Sequence, residues 1–326
     1  MAKRSGLKTA GLIAGIGCLS LIAIVVGGVI IAAVWAKATV ANLGDPSPQH
    51  VERRIALLPA AATTAERPAD AAAVARTAPL RLTLELQEGN FTIRPGQPGT
   101  EIQVEGDYAP GLYELIESQE TDSATGVRRA TVRFRSKVPP WARFFSNIGG
   151  NGDNRPKITV TIPRGSPLDL SLGVTMGQSE IDLGGLTLGD VQVNASMGEH
   201  RIDFHEPVAA EGVRSLRLNA SMGNVFVENL GNARAETINT SGSMGNLTAN
   251  LGGAWPSGGT SNVTFEQSMG ELTIRVPSNI RLDADIRDTS NRNTPRPELK
   301  QPADPDAPTL RLRVTSSMGN SRVIQY

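Results

Sequence analysis

The 326 residues balance 32 Lys and Arg against 32 Asp and Glu, with 4% aromatics, 34 glycines and a single cysteine. A neutral chain has no bulk electrostatic reason to bind nucleic acid, and one cysteine excludes both an internal disulfide framework and a cysteine-based zinc site. The composition points to one large, unusual domain with a membrane anchor.

From Gly11 to Trp35 no residue is charged. A helix of that length, at about 1.5 Å per residue, reaches roughly 37 Å and crosses a hydrocarbon core of about 30 Å with some tilt. Lys3, Arg4 and Lys8 precede the run, and only Lys37 follows it closely. Residues 1–10 are therefore predicted to be a short cytoplasmic tail, and 11–35 a single transmembrane helix of the bacterial cytoplasmic (inner) membrane, with the rest of the chain outside. A cleaved signal peptide ending at Ala36–Ala38 is the rival reading, but such apolar cores run only about 7 to 15 residues. Cys18 lies inside the apolar run, where it serves as a small hydrophobe. Gly11 and Gly15 have the spacing of a close helix–helix contact, one common by chance in Gly/Ala-rich spans.

Residues 36–79 are rich in alanine, proline and threonine and lack a sustained apolar face. They are predicted to be a linker, too poor in large apolar residues to offset the entropy of ordering.

Residues 80–326 carry a repeat. Apart from the initiator, every methionine lies in a Ser/Thr-Met-Gly triplet: Met176-Gly177, Met197-Gly198, Met222-Gly223, Met244-Gly245, Met269-Gly270 and Met318-Gly319. Their spacings of 21, 25, 22, 25 and 49 residues mark stacked repeats, the last interval being a double one. Six and four residues before each methionine stand pairs such as Leu170 and Leu172, Leu216 and Leu218, or Val263 and Phe265. This period-two alternation, with methionine in phase, predicts a strand ending at the triplet. After the glycine, apolar residues resume at odd offsets, as in Val225 and Val227 or Leu272 and Ile274. Such a shift requires a bend or bulge at Met-Gly, where glycine tolerates positive φ.

Each repeat thus reads strand, glycine corner, strand. Stacked about 4.8 Å apart, the six methionines are predicted to form one buried column at an inner corner. Met222→Asp is then expected to cost several kcal/mol. Thioethers also suit copper(I), but their phase with the apolar face favours packing, and metal sites are assigned to no residue.

Upstream, "LRLTLELQEGNFTIRPG" repeats the pattern with Glu88 at the methionine position, as an atypical end coil should. The residues before Met318, "RDTSNRNTPRPELKQPADPDAP", read as an excursion replacing one corner.

The alternating strands around small-Gly-polar corners, from "LRLTLELQEGN" through "KITVTIP" to "LRLRVTSSMGNSRVIQY", resemble the bacterial adhesin-like or "toast-rack" family over about Leu80–Tyr326. The resemblance implies an all-β, single-sheet-wound right-handed β-solenoid and a surface location. It carries no functional residues over.

No catalytic motif or cofactor site emerges. The recurring serines lack a nucleophile elbow, and no acids and bases converge on one face. His50, His200 and His205 read as surface or corner residues. The one unusual loop holds Trp141, Arg143, Phe144 and Phe145, a membrane- or partner-contact candidate or a cover for an end of the solenoid.

The sequence therefore predicts a non-enzymatic, membrane-tethered extracytoplasmic binding, adhesion or scaffolding module. Its expected partners are a glycan, an envelope polymer or a membrane protein. The alternatives are an envelope-stress sensor or regulator acting through a membrane partner, and a self-assembling filament built from copies of the chain.

Overall fold

The computed structural model describes residues 28–35, 38, 47–57, 80–121, 127–139, 155–209, 212–288 and 300–326. The chain divides into two compact units. One comprises Met1–Ser47, Ala109–Glu114 and Ser136–Asn154, the other Pro48–Tyr108, Leu115–Arg135 and Arg155–Tyr326.

In the first unit, residues 28–35 are helical, with Val29, Ile30, Ile31, Val34 and Trp35 exposed. The rest of the predicted span, its cytoplasmic tail and the Gly11/Gly15 pair lie outside the described residues. No described helix is long and apolar enough to cross a membrane. Elsewhere in this unit the amides of Leu112 and Tyr113 donate to the Ala109 carbonyl, and Lys137 Nζ donates to the Pro110 carbonyl at 2.6 Å.

The second unit is built from strands. Among the described residues the chain forms β1 (Gln49–Ala56), β2 (Leu80–Pro98), β3 (Glu101–Tyr108), β4 (Tyr113–Thr121), β5 (Arg128–Ser136), β6 (Lys157–Arg164), β7 (Leu168–Asp182), β8 (Leu188–Asp203), β9 (Ser215–Glu228), β10 (Thr237–Asn250), β11 (Thr260–Val276), β12 (Arg281–Asp288) and β13 (Thr309–Gln325). They belong to one sheet, in the order β1-β3-β6-β2-β7-β8-β9-β10-β11-β13-β12, with β5 beside β2 and β4 beside β5. From β2 through β13 along this order the strands run parallel, one repeat beside the next.

Each long strand has two arms. In β9 the first arm buries Leu216 and Leu218 and the second buries Val225 and Val227; between them Ala220 is half-buried, while Asn219, Ser221, Met222 and Asn224 are exposed. The arms share a core: Val193, Ala195 and Leu218 from first arms and Ile202, Val225 and Leu247 from second arms line one small interior gap. Segments linking one repeat to the next add Leu183, Phe204, Val213, Leu230 and Leu251 to that core. They stack as well: the amide of Leu183 donates to the carbonyl of Asp203, and that of Leu251 to Arg275. Backbone pairing thus continues from strand into linking segment, which satisfies polar groups that burial would otherwise penalise.

Three features depart from the sequence reading. Within the predicted linker 36–79, β1 forms and pairs antiparallel with β3, burying Ile55 and Leu57; one short strand on an existing sheet edge needs few apolar residues to be held. The chain before Met318, of which residues 289–299 lie outside the described residues, does not leave the last two strands in chain order. Instead β13 lies between β11 and β12, so that Met318 stands opposite Met269, while β12 pairs with the first arm of β13. A similar insertion occurs at the other end. There β7 pairs directly with β2, and the intervening chain supplies β5 and β6, which pair with the first and second arms of β2 on its other side. Phe91, Phe134 and Tyr108 pack edge-to-face there, with centroids 6.1 and 5.1 Å apart.

Candidate functional site

The backbone at the bend between arms shows why glycine recurs there. Gly177, Gly198, Gly223, Gly245, Gly270 and Gly319 have φ between 112° and 133°, a region that side chains with a Cβ avoid. The column is also tightly stacked: a Cβ on Gly223 would lie 2.2 Å from the carbonyl oxygen of Gly198. Glu88 stands opposite Met176, as the degenerate upstream repeat predicts.

The methionines form the predicted in-register column, but they face the other way. Met176, Met197, Met222, Met244, Met269 and Met318 are 37–59% exposed, which overturns the buried inner corner. Inward positions of the first arm end two residues before methionine, at Val174, Ala195 and Gln267, and those of the second arm begin three residues after it. The residues between pass around the outside of the bend. Extending the first arm's alternation through methionine assumes a straight strand, and the bend begins before that residue.

The outer faces carry polar rows. Asn219 Nδ2 donates to Asn194 Oδ1 at 2.8 Å, Ser241 Oγ to Asn219 Oδ1 at 2.8 Å, and Gln192 Nε2 to Asn194 Oδ1 at 3.3 Å. Arg217, Asn239, Thr264 and Glu266 join Asn219 and Ser241 around an open depression of about 300 Å³. A second depression of about 430 Å³ lies over the second arms, where Lys157, Glu180, Glu199 and Arg201 set opposite charges side by side.

The histidines differ in role. His200 is fully buried and meets Ser179, also buried, with Nδ1 2.9 Å from Oγ; of its surface or corner reading, the surface part is corrected, and it lies in the core just after the corner. Burial holds its pKa below the ordinary value. His200 has no solvent exposure, and Ser179, 3% exposed, lines the floor of the depression over the second arms. His205 remains exposed, pairing with Asp182 and reaching Glu206 at 3.2 Å; Arg164 meets Glu206 at 3.0 Å. The hydrogen bond to Asp182 raises the His205 pKa. His50, in β1, hydrogen-bonds Asp107 at 2.9 Å on the surface.

Among the described residues no group of three or more His, Cys, Asp and Glu side chains is placed to hold a metal ion. Trp141, Arg143, Phe144 and Phe145 lie outside the described residues.

No curated protein matches the chain. Solved structures similar to it include a candidate cell adhesion protein from Clostridium sporogenes, at 11% identity and a TM-score of 0.39 over 86% of this chain and 100% of that one. A candidate adhesin from Bacteroides fragilis aligns at 12% identity and a TM-score of 0.32, over 86% and 99% of the two chains. Another from Parabacteroides distasonis aligns at 11% and 0.22, over 85% and 94%. At these scores the likeness is loose, and the assignment rests on the family match. The model of the Toastrack DUF4097 family matches residues 113–293, more than half of the chain, and the protein belongs to that family.

Proposed function

We propose that the protein is a non-enzymatic adhesion or scaffolding module of the bacterial cell envelope. It is tethered by a helix through residues 11–35 and binds a repeating polar polymer, a glycan above all, along a right-handed β-solenoid of about 21–25 residues per coil. The observation that carries this reading is the hydrogen-bonded row Gln192, Asn194, Asn219 and Ser241 beside Arg217. It offers similar polar groups on successive strands, which suits a ligand that itself repeats. The open depressions favour an extended ligand over a small molecule, which enclosed apolar pockets hold better. The exposed apolar residues of helix 28–35 support the tether, since they continue the uncharged run from Gly11.

The test is co-sedimentation of the full-length protein, in detergent micelles, with isolated peptidoglycan and envelope polysaccharide. Saturable binding that weakens in an Arg217→Ala, Asn219→Ala double variant is expected. Failure to bind any envelope polymer overturns the reading. Protection of the C-terminal region from protease added to intact spheroplasts overturns the extracytoplasmic placement.

A further inference from the structure

We propose that the methionine column is a binding site for soft monovalent metal ions, copper(I) and its congener silver(I), each held between thioethers of neighbouring strands. Packing does not account for the column. Among the described residues no buried apolar side chain is a methionine, whereas the exposed large hydrophobic side chains described in the second unit are the six methionines, Ile324 and Tyr326. Thioether sulfur is a soft ligand that selects copper(I) over hard cations, and here it is presented to solvent on successive strands.

The spacing suits the ion. In-register pairing sets Met176 beside Met197, Met197 beside Met222, Met222 beside Met244, Met244 beside Met269 and Met269 beside Met318. Strands so paired lie about 4.8 Å apart. Two metal–sulfur bonds of about the 2.3 Å length typical of zinc–thiolate, placed end to end, span about 4.6 Å, close to the strand spacing, so an ion bridging adjacent thioethers is compatible with the paired backbone. The surroundings favour a cation. From two residues before each methionine to two after it there is no Lys or Arg, Glu199 and Glu271 lie in those windows, and Glu88 continues the column below Met176. The flanking Ser or Thr and Gly are small enough to leave the thioethers room to turn toward one another.

The site is independent of the polymer-binding reading, which uses the strand faces and not the corner. Its test is calorimetric titration of the full-length protein, carrying Cys18→Ser to remove the thiol, with silver(I) in chloride-free buffer. Two triple variants keep the same number of thioethers. Met197→Leu, Met244→Leu and Met318→Leu together leave no two methionines of the column adjacent; Met176→Leu, Met197→Leu and Met222→Leu leave Met244, Met269 and Met318 contiguous. The contiguous variant is expected to keep its affinity at reduced capacity, and the alternating variant to lose about tenfold or more. X-ray absorption of the silver-loaded protein should show sulfur neighbours. Equal affinities in the two variants, no silver binding, or a shell of oxygen and nitrogen alone would overturn the proposal.

Discussion

A Cβ added to Gly198 would lie 1.7 Å from the carbonyl oxygen of Gly177, its neighbour in the corner column. The obstructing atom is backbone, with strands pairing on both sides, and the φ of 133° is itself unfavourable for any other residue. Gly198→Ala is expected to destabilise the protein by more than about 2 kcal/mol. Chemical denaturation measures it, and a wild-type midpoint would mean that the corner column opens to admit a Cβ.

The outward methionines reverse an expectation. Met222 is 42% exposed and Leu218 is 3% exposed, so Met222→Ala should cost under about 1 kcal/mol and Leu218→Ala about 2 to 5 kcal/mol. Met222→Asp, severe for an inner corner, should be mild here. Melting temperatures of the three variants check the ranking, which fails if the two substitutions at Met222 cost as much as that at Leu218.

His200 gives stability a dependence on acidity. Burial lowers its folded pKa, so the unfolded chain binds the proton more readily. The stability associated with its neutral form is present above the unfolded value of about 6.5 and is lost as pH falls below it. His200→Val, which copies the neighbouring strand's Val225, should flatten the decline between about pH 6.5 and 5. Denaturant midpoints across that range decide; an unchanged slope would point to other groups.

His205 acts in the opposite sense. Its hydrogen bond to Asp182 raises the folded pKa, so its contribution is complete below about pH 6.5 and fades as pH rises through the folded value. Because His205 is 44% exposed, solvent screens much of this. Asp182→Asn should lower the His205 titration midpoint followed by NMR. An unmoved midpoint would show that Glu206, 3.2 Å away, supplies the effect instead.

Much of the repeat was legible without coordinates. Alternation at Leu216 and Leu218, its resumption at Val225 and Val227, and the intervening glycine determine two buried arms and a corner, because side-chain direction along a strand has period two. The burial of His200 was legible too. It lies three residues after Met197, where other repeats carry Val225, Leu247 and Leu272, and the chemical type of the residue obscured its position. The family assignment follows from the same pattern.

Tertiary structure decided what lies on the far side of the bend. Alternation states which residues share a face only while the strand stays straight, so it could not establish where between Ala220 and Val225 the turn begins, nor that Met222 faces solvent. Strand order was likewise beyond the sequence. The position of β13 between β11 and β12, and of β7 against β2 ahead of four intervening strands, depends on pairing between segments far apart in the chain, which local periodicity does not encode. The sequence by itself determined the repeat, its corners and its family; the three-dimensional pairing turned the methionine column from an expected core into a surface.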